Sequence, residues 1–332
     1  MRVLSLFDWI ACWYEALIRA WIKVDAYYAS EIDKYAIQIA MKNHPDIIQL
    51  GDVKNIEGGR LSNIDLLIWG SPCQWFSVAG KMLNFDDPRS KLFFEFVRIV
   101  REVKPKYFLL ENVKMKKEWQ DIISRELWVE PIEINSSLVS AQNRRRLYRT
   151  NIPNVSLPED KGILLKDILQ ENVNEKYYLD DSAIKTLHRE FGSKGKIYED
   201  TDIKTNTITA SMGTWWWNVP AIVSVVDGEV RIKQATKQWY IVAEEWDGVD
   251  LNYPQSQTRR WRVIKWKSNT LTTWWEAHVY NKVIRKLTPV ECERLQTLPD
   301  NYTEWVSDTQ RYKMLGNGRT VDVIAHIFRN LS

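Results

Sequence analysis

Ile64-Asp65-Leu66-Leu67-Ile68, running on into Trp69-Gly70-Ser71-Pro72-Cys73-Gln74, is an apolar stretch that breaks into a tight polar loop. A short apolar run ended by a turn signal reads as a buried strand, and Pro72 rigidifies a turn that presents the Cys73 thiol at the edge of a sheet. The same pattern occurs on either side of it. Val3-Leu4-Ser5-Leu6-Phe7 reads as a strand followed by a turn and a helical stretch from about Tyr14 to Ala20. Val24 to Ala29 is a second strand, closed by Glu31 and followed by a helix through Lys42. Helical periodicity from Leu92 to Val103 precedes the strand-like Tyr107-Phe108-Leu109-Leu110, which leads to Glu111-Asn112-Val113. Alternating strands and helices predict an α/β fold with a mostly parallel sheet and its chemistry at the carboxyl ends of the strands.

Beyond about Pro153 the pattern loosens into polar, Thr- and Lys-rich segments with short β-like runs at Ala221 to Val226 and Tyr240 to Ala243. Order returns from Arg285, with a helix after Thr288-Pro289 and a last helix from Val321 to Leu331. Three segments follow: 1–155, a smaller and irregular β-rich 156–284, and 285–332. The 332 residues suffice for one elaborated domain or two that share a core. With 46 Lys+Arg against 43 Asp+Glu, a polyanionic partner must be met by local basic patches and not by a global field. Cys12, Cys73 and Cys292 are too few and too far apart for a disulfide framework, and the four histidines have no metal-ligand spacing. A reducing cytoplasm fits, no metal is expected, and no stretch has the length and apolarity of a membrane span.

Three constellations carry chemistry, each with a plainer alternative. Cys73 in its Pro-Cys turn is a candidate nucleophile, although a lone cysteine is more often core. Glu111 at a strand end can exchange a proton with a ring nitrogen, although such carboxylates are usually just solvated. In Gln142-Asn143-Arg144-Arg145-Arg146 the alternate arginines share one face if extended and can hold anionic or carbonyl oxygens; an ordinary basic loop is the plain reading.

In this order and spacing the three resemble the Pro-Cys, Glu-Asn-Val and Gln-x-Arg-x-Arg motifs of the cytosine-C5 DNA methyltransferase family. Leu4-Ser5-Leu6-Phe7-Asp8 resembles its cofactor loop, and Glu31 and Gly51-Asp52-Val53 its adenosine-binding acids. Arg285 to Glu291 with Arg294-Leu295-Gln296 resembles its late motif, and Gly316-Asn317-Gly318 with Val321 its last. The resemblance implies a Rossmann-like S-adenosylmethionine-dependent fold, with residues 156–284 as the target-recognition domain. It implies that Cys73 adds to C6 of a flipped cytosine in double-stranded DNA and that Glu111 hydrogen-bonds N3. Arg144 and Arg146 would hold the base carbonyl and the active-site loop, supported by Gln142, while C5 takes the methyl of S-adenosylmethionine. Glu31 would bind the ribose hydroxyls and Asp52 the adenine amine, with Phe7 against the adenosine and Asn317 near the methionine end. Asp8, Ile32, Val53, Pro72 and Leu92 complete the cofactor-binding set. The implied setting is a monomer in a bacterial or phage-infected cytoplasm, within a restriction-modification system that leaves room for a cognate restriction endonuclease. The alternatives are a catalytically dead DNA-binding relative and an RNA cytosine methyltransferase; a dinucleotide oxidoreductase ranks last because it leaves Cys73 and Glu111 unexplained. In the middle segment Asn269-Thr270-Leu271-Thr272 resembles a Thr-Leu element used near the target base, preceded by the basic strip Arg259, Arg260, Arg262, Lys265 and Lys267.

One feature departs from the family. Trp is 17 of 332 residues and Gly only 13, about 4% against a usual share of roughly 7%. Trp9, Trp13, Trp69 and Trp75 stand where the family's cofactor and catalytic loops place glycine. The same exchange is expected at Trp21, Trp128, Trp215, Trp216, Trp217, Trp239, Trp246, Trp261, Trp266, Trp274, Trp275 and Trp305, leaving Trp119 alone at home. Glycines encoded by UGA would account for these sixteen; a degenerate relative or an altered sequence are the rival readings. An aromatic residue is expected at Arg149 and Arg319, which that account does not explain.

Overall fold

Strands made almost wholly of apolar residues can be buried only in a sheet covered on both faces, and this is what Leu66–Gly70 and its neighbours form. The computed structural model describes residues 1–61, 63–70, 91–178, 197–198, 204–208, 221–224, 230–233, 240–243, 248–250, 262–264 and 283–331. Its main sheet has seven strands: β1 (Arg2–Leu6), β2 (Ala26–Ser30), β3 (Ile48–Gln49), β4 (Leu66–Gly70), β5 (Tyr107–Asn112), β6 (Ile132–Asn135) and β8 (Arg145–Thr150). Their order is β3-β2-β1-β4-β5-β8-β6. The first five are parallel, and β8 is antiparallel to both β5 and β6. Successive strands build outward from β1 in one direction through β2 and β3, then in the other through β4 and β5. A crevice therefore opens outside the carboxyl ends of β1 and β4, where such sheets bind ligands.

The helices are α1 (Cys12–Arg19), α2 (Lys34–Asn43), α3 (Lys91–Val103), α4 (Lys117–Leu127), α5 (Pro289–Leu295), α6 (Asp308–Asn317) and α7 (Val321–Phe328). α2 begins where Asp33 accepts the backbone N–H groups of Tyr35 and Ala36, and α6 where Ser307 accepts that of Gln310. α1 packs on α7, tied at its end by the Arg19 to Asp322 ion pair at 2.8 Å. A continuous core joins Leu4, Leu67 and Leu110 of the sheet to Phe96, Ile99 and Ile123 of the helices.

The structure divides into two units. The first comprises Met1–Ile168, Lys204–Thr214 and Pro289–Ser332; the second comprises Leu169–Ile203 and Trp215–Thr288. In the second, β11 (Ala221–Ser224) pairs antiparallel with β16 (Val283–Lys286) and parallel with β9 (Ile197–Tyr198). Two further antiparallel pairs join β12 (Val230–Lys233) to β13 (Tyr240–Ala243) and β14 (Gly248–Asp250) to β15 (Arg262–Ile264). In the first, β10 (Thr205–Asn206) pairs parallel with β7 (Gln142–Asn143), bringing Lys204–Ile208 back beside the arginine motif.

Two expectations need correction. Glu111 and Asn112 are not past a strand but in it, because β8 supplies a partner for the last turn of the ladder: Glu111 sits opposite Tyr148 and Asn112 opposite Leu147. Trp69 likewise belongs to β4 and not to the catalytic loop. Arg149, in β8, is fully buried; its guanidinium donates to the Ser124 hydroxyl and the Gln120 carbonyl while Nη1 finds no acceptor among the described residues. Burial lowers its pKa to about 10. Because a desolvated, incompletely paired charge costs more than an apolar group of similar size, Arg149→Phe is expected to raise stability by about 1–3 kcal/mol. Denaturant unfolding of the two proteins checks this; a loss of stability in the variant would refute it.

Candidate active site

The segment joining β1 to α1 lines one wall of the crevice. Three alternate residues, Phe7, Trp9 and Ala11, have φ of 56°, 62° and 59°. Between the first two sits Asp8, whose side chain is fully buried, with one oxygen accepting the Tyr27 hydroxyl at 2.5 Å and the other unpaired among the described residues. Burial pushes its carboxyl up to about 6, against the pull of the neighbouring Ser5 and Tyr27 hydroxyls. A carboxyl that holds its proton more tightly in the folded protein contributes stability fully below the unfolded pKa of 3.8, and that contribution is lost as pH rises through about 6. The two-unit span corresponds to about 3 kcal/mol. Asp8→Asn is expected to flatten melting temperature between pH 4 and 7 and to raise it at neutral pH; an unchanged slope would refute this.

At the end of β2 the Glu31 carboxylate is buried and locally held. One oxygen accepts the Ile32 and Asp33 amides at 2.8 and 2.9 Å, and the other accepts the Trp9 amide at 2.9 Å. Ile32 beside it is 73% exposed, an apolar side chain with one face open at a strand end. Beyond β3, Gly51 takes φ 76° and Asp52 caps a short 3-10 turn by accepting the Lys54 amide, with Val53 buried beneath. The Ser30 hydroxyl donates to the Gly51 carbonyl at 2.7 Å, fixing the two acidic turns relative to each other. Asn317 closes α6, partly exposed. Leu92 lies in the first turn of α3. Cys73 and Pro72 lie outside the described residues.

On the other side of the crevice, Gly70 of β4 is in register with Glu111 of β5, so the loop that carries Cys73 departs one strand away from the Glu111 carboxylate. That carboxylate is buried and sits between two guanidiniums: Arg319 Nε donates to one oxygen at 2.9 Å, and Arg146 Nε lies 3.5 Å from the other. Arg319 also donates to the Gly70 carbonyl at 2.8 Å and lies over the Trp13 ring at 4.6 Å. The fully buried Tyr148 faces the same carboxylate, and burial raises its pKa.

Gln142 and Arg144 are placed differently from Arg146. The Gln142 amide donates to the Leu295 carbonyl at 2.7 Å and to the Gln296 side chain at 3.1 Å. Arg144 donates to the carbonyls of Gly318 at 2.7 Å, Ile208 at 3.0 Å and Gly316 at 3.4 Å. Gln296 in turn donates to the Leu315 carbonyl and accepts the Thr320 hydroxyl. This buried net ties β7, the Ile208 segment, α5 and the end of α6 together, satisfying carbonyls that would otherwise be stranded. Sequence reading missed Arg319 as a partner of Glu111; its position two residues after Asn317, in a motif assigned to the site, was the available signal.

The residues present divide on the cofactor that the motifs imply. Glu31 and Asp52 at successive strand ends suit a nucleoside with free hydroxyls and an exocyclic amine. Trp9 does not: its indole donates to the Met314 carbonyl at 2.8 Å and lies under Lys313, spanning from the Glu31 loop to the last turns of α6. That is the ground between the two expected ends of the cofactor.

The fold is an α/β sheet with its crevice at the carboxyl ends of the strands. The Entamoeba histolytica methyltransferase EhMeth superimposes with a TM-score of 0.68 at 19% identity over 100% of this chain and 99% of that one. A Spodoptera frugiperda DNMT2 variant does so with 0.67 at 17% identity over 99% of each. The profile described as C-5 cytosine-specific DNA methylase matches residues 1–124 and 135–332, and the chain belongs to that family. Among curated relatives, the Lactococcus lactis type II methyltransferase M1.ScrFI is 31% identical, covering 91% of this chain and 70% of its own. The orphan methyltransferase M.SPRI of Bacillus phage SPR is 28% identical over 100% of this chain and 97% of its own. Among the described residues no helix is long and apolar enough to cross a membrane, and no cluster of His, Cys, Asp or Glu could hold a metal.

Proposed function

We propose that this protein methylates C5 of cytosine in double-stranded DNA, as a modification enzyme of the kind its relatives' names describe. The observation that carries the reading is the buried Glu111, clamped by Arg146 and Arg319 one strand away from the loop that bears Cys73.

Cytosine C5 is too weak a nucleophile to take a methyl group until C6 has been attacked and the ring has lost its aromaticity. Cys73 is the thiol for that attack. Cys12 is fully buried, which pushes its thiol up to about 11, and burial raises Cys292 as well, so neither supplies a thiolate near neutral pH. The Glu111 carboxyl gives a proton to N3 as the Cys73–C6 bond forms, so the electron pair pushed into the ring is neutralised there. Arg146 keeps the carboxylate oriented and faces the base carbonyl. Arg144 and Gln142 act at one remove, holding the Gly316-Asn317-Gly318 turn against the site. S-adenosylmethionine, which the family implies, would supply the methyl group; a base then takes the C5 proton, Cys73 is eliminated from C6 as thiolate, and N3 returns its proton to Glu111, which restores the aromatic ring. The target cytosine must leave the base stack to reach Cys73, and residues 156–284 form the target-recognition region that reads the surrounding duplex. Asn269 to Thr272, with the basic strip before it apart from Arg262 of β15, lies outside the described residues.

The test is transfer of labelled methyl groups to mixed-sequence duplex DNA, with transfer RNA as the competing acceptor, using a chain with glycine at the sixteen suspect positions. Labelled 5-methylcytosine in DNA supports the reading. Labelling confined to transfer RNA would replace the substrate, and binding of DNA with no transfer to either acceptor would replace the enzyme with a DNA-binding relative.

A further inference from the structure

Seven tryptophans fall among the described residues, and the backbone sorts them into three groups. Trp9, Trp21, Trp128 and Trp305 have φ of 62°, 60°, 57° and 85°. The left-handed region is rare for any residue with a Cβ and an outlier for a bulky one. Each of the four sits where local structure demands that conformation. Trp21 follows the last turn of α1: its amide donates to the Ile18 carbonyl and the next amide, of Ile22, to that of Leu17. This pair of bonds is the Schellman closure, whose left-handed position is glycine in most helices that use it. Trp128 closes α4 with φ 57° and ψ 30°. Trp305 lies in the turn just before the Ser307 cap of α6, and Trp9 in the turn from β1 to α1.

At three of the four the side chain gains little burial in return for the strained backbone. Trp21 is 94% exposed, Trp128 90% and Trp305 68%, although tryptophan is highly buried on average. Trp13 and Trp69 form the second group. They have ordinary helix and strand conformations but are fully buried with the indole N–H unpaired among the described residues, whereas a buried indole N–H ordinarily finds an acceptor. Trp119 stands alone in the third: it lies inside α4, partly buried, and packs on the core. Trp119 behaves as tryptophan, whereas Trp21, Trp128 and Trp305 hold a glycine conformation with the indole exposed, and Trp13 and Trp69 are packed in the core with the indole N–H unpaired among the described residues.

We infer that the gene is read with UGA as glycine, so that the protein as made in its own cell carries glycine at 9, 13, 21, 69, 128 and 305 and keeps tryptophan at 119. The same codon reading extends the exchange to Trp75, Trp215, Trp216, Trp217, Trp239, Trp246, Trp261, Trp266, Trp274 and Trp275, which lie outside the described residues and are included because the family resemblance places glycine there. The exchange takes glycine from 13 to 29 of 332, about 9%, and tryptophan from 17 to one. At position 9 it also removes the indole that spans from Glu31 to Met314, leaving the crevice at the carboxyl ends of β1 and β2 open. The inference does not depend on what the site binds, since its grounds at 21, 128 and 305 are helix ends and turns outside the motifs of the site.

The experiment has two readouts. The gene is sequenced at the seventeen positions, and the protein is isolated from the cells that make it and its tryptic peptides are weighed. UGA at sixteen positions and UGG at 119, with peptides whose masses carry glycine at 21, 128 and 305, is the expected result. UGG at any of positions 21, 128 or 305 would overturn the inference, as would native peptides with tryptophan there. Neither readout requires the isolated protein to be active.

Discussion

Cys73→Ala, made in a chain with glycine at the sixteen positions, is expected to abolish methyl transfer to DNA, a fall on the order of 10⁴-fold or more, as loss of a covalent nucleophile produces. The size follows from the chemistry. Without addition at C6 there is no enamine-like C5 to receive the methyl group, so no slower variant of the same route remains. Cys12→Ala and Cys292→Ala are the controls, because burial keeps both thiols protonated and closed to a substrate. Each removes a buried sulfur and lowers stability modestly, with kcat retained. DNA binding by the Cys73 variant should persist, since the duplex is held by phosphate and base contacts elsewhere. A variant that retained more than a few per cent of the rate, or a Cys12 variant that lost it, would transfer the nucleophile's role away from Cys73. Glu111→Gln provides a graded comparison. The amide can still donate a hydrogen bond to N3 from between Arg146 and Arg319 but cannot give up a proton, so a loss of about 10²–10⁴-fold is expected, smaller than for the cysteine.

Much of the crevice was legible because parallel strands buried on both faces write themselves as unbroken apolar runs, and the residue that follows each run is then a strand end. That reasoning located Phe7, Glu31, Gly70 and Glu111 at the carboxyl edge, where the structure has them. It put Glu111 one step too far out because pairing with β8 is a long-range fact: whether a polar residue continues a strand depends on the partner across the ladder and not on its own run. The duty of Arg144 was illegible for a related reason. An arginine in a basic pentapeptide looks like a surface or ligand contact, and only the closed fold shows that it reaches the buried carbonyls of Ile208, Gly316 and Gly318. The return of Lys204–Thr214 to the first unit rests on a ladder of two residues per strand, too short to leave a periodic signal. The tryptophans are the opposite case: the sequence marked sixteen of them as misplaced, and the backbone angles give four of those a physical reason that composition alone lacks.

Replacing Trp21, Trp128 and Trp305 together with glycine is expected to raise the stability of the chain by about 3 kcal/mol, where exposed substitutions ordinarily change it by about half a kcal/mol or less. The left-handed conformation costs an L-residue about 1–2 kcal/mol relative to glycine, and the greater freedom of glycine in the unfolded chain returns about 0.5–1 kcal/mol of that. About 1 kcal/mol per site is left. The three sites lie at the end of α1, the end of α4 and the turn before α6, each its own turn of chain, so their contributions should add. Little packing is surrendered in exchange, because two of the indoles are almost wholly exposed and the third has only Lys42 lying over its ring. The corresponding rise in melting temperature is about 6–12 °C, at about 2–4 °C per kcal/mol for a domain of this class. Trp119→Gly is the counter-experiment: it puts glycine inside a helix and strips a side chain from the core, so stability should fall by about 1 kcal/mol for the helix alone and further for the lost packing. Four substitutions of the same residue by the same residue should therefore divide by sign, three up and one down. If the three lowered the melting temperature as Trp119→Gly does, the left-handed angles would not be the strain that marks these positions for glycine.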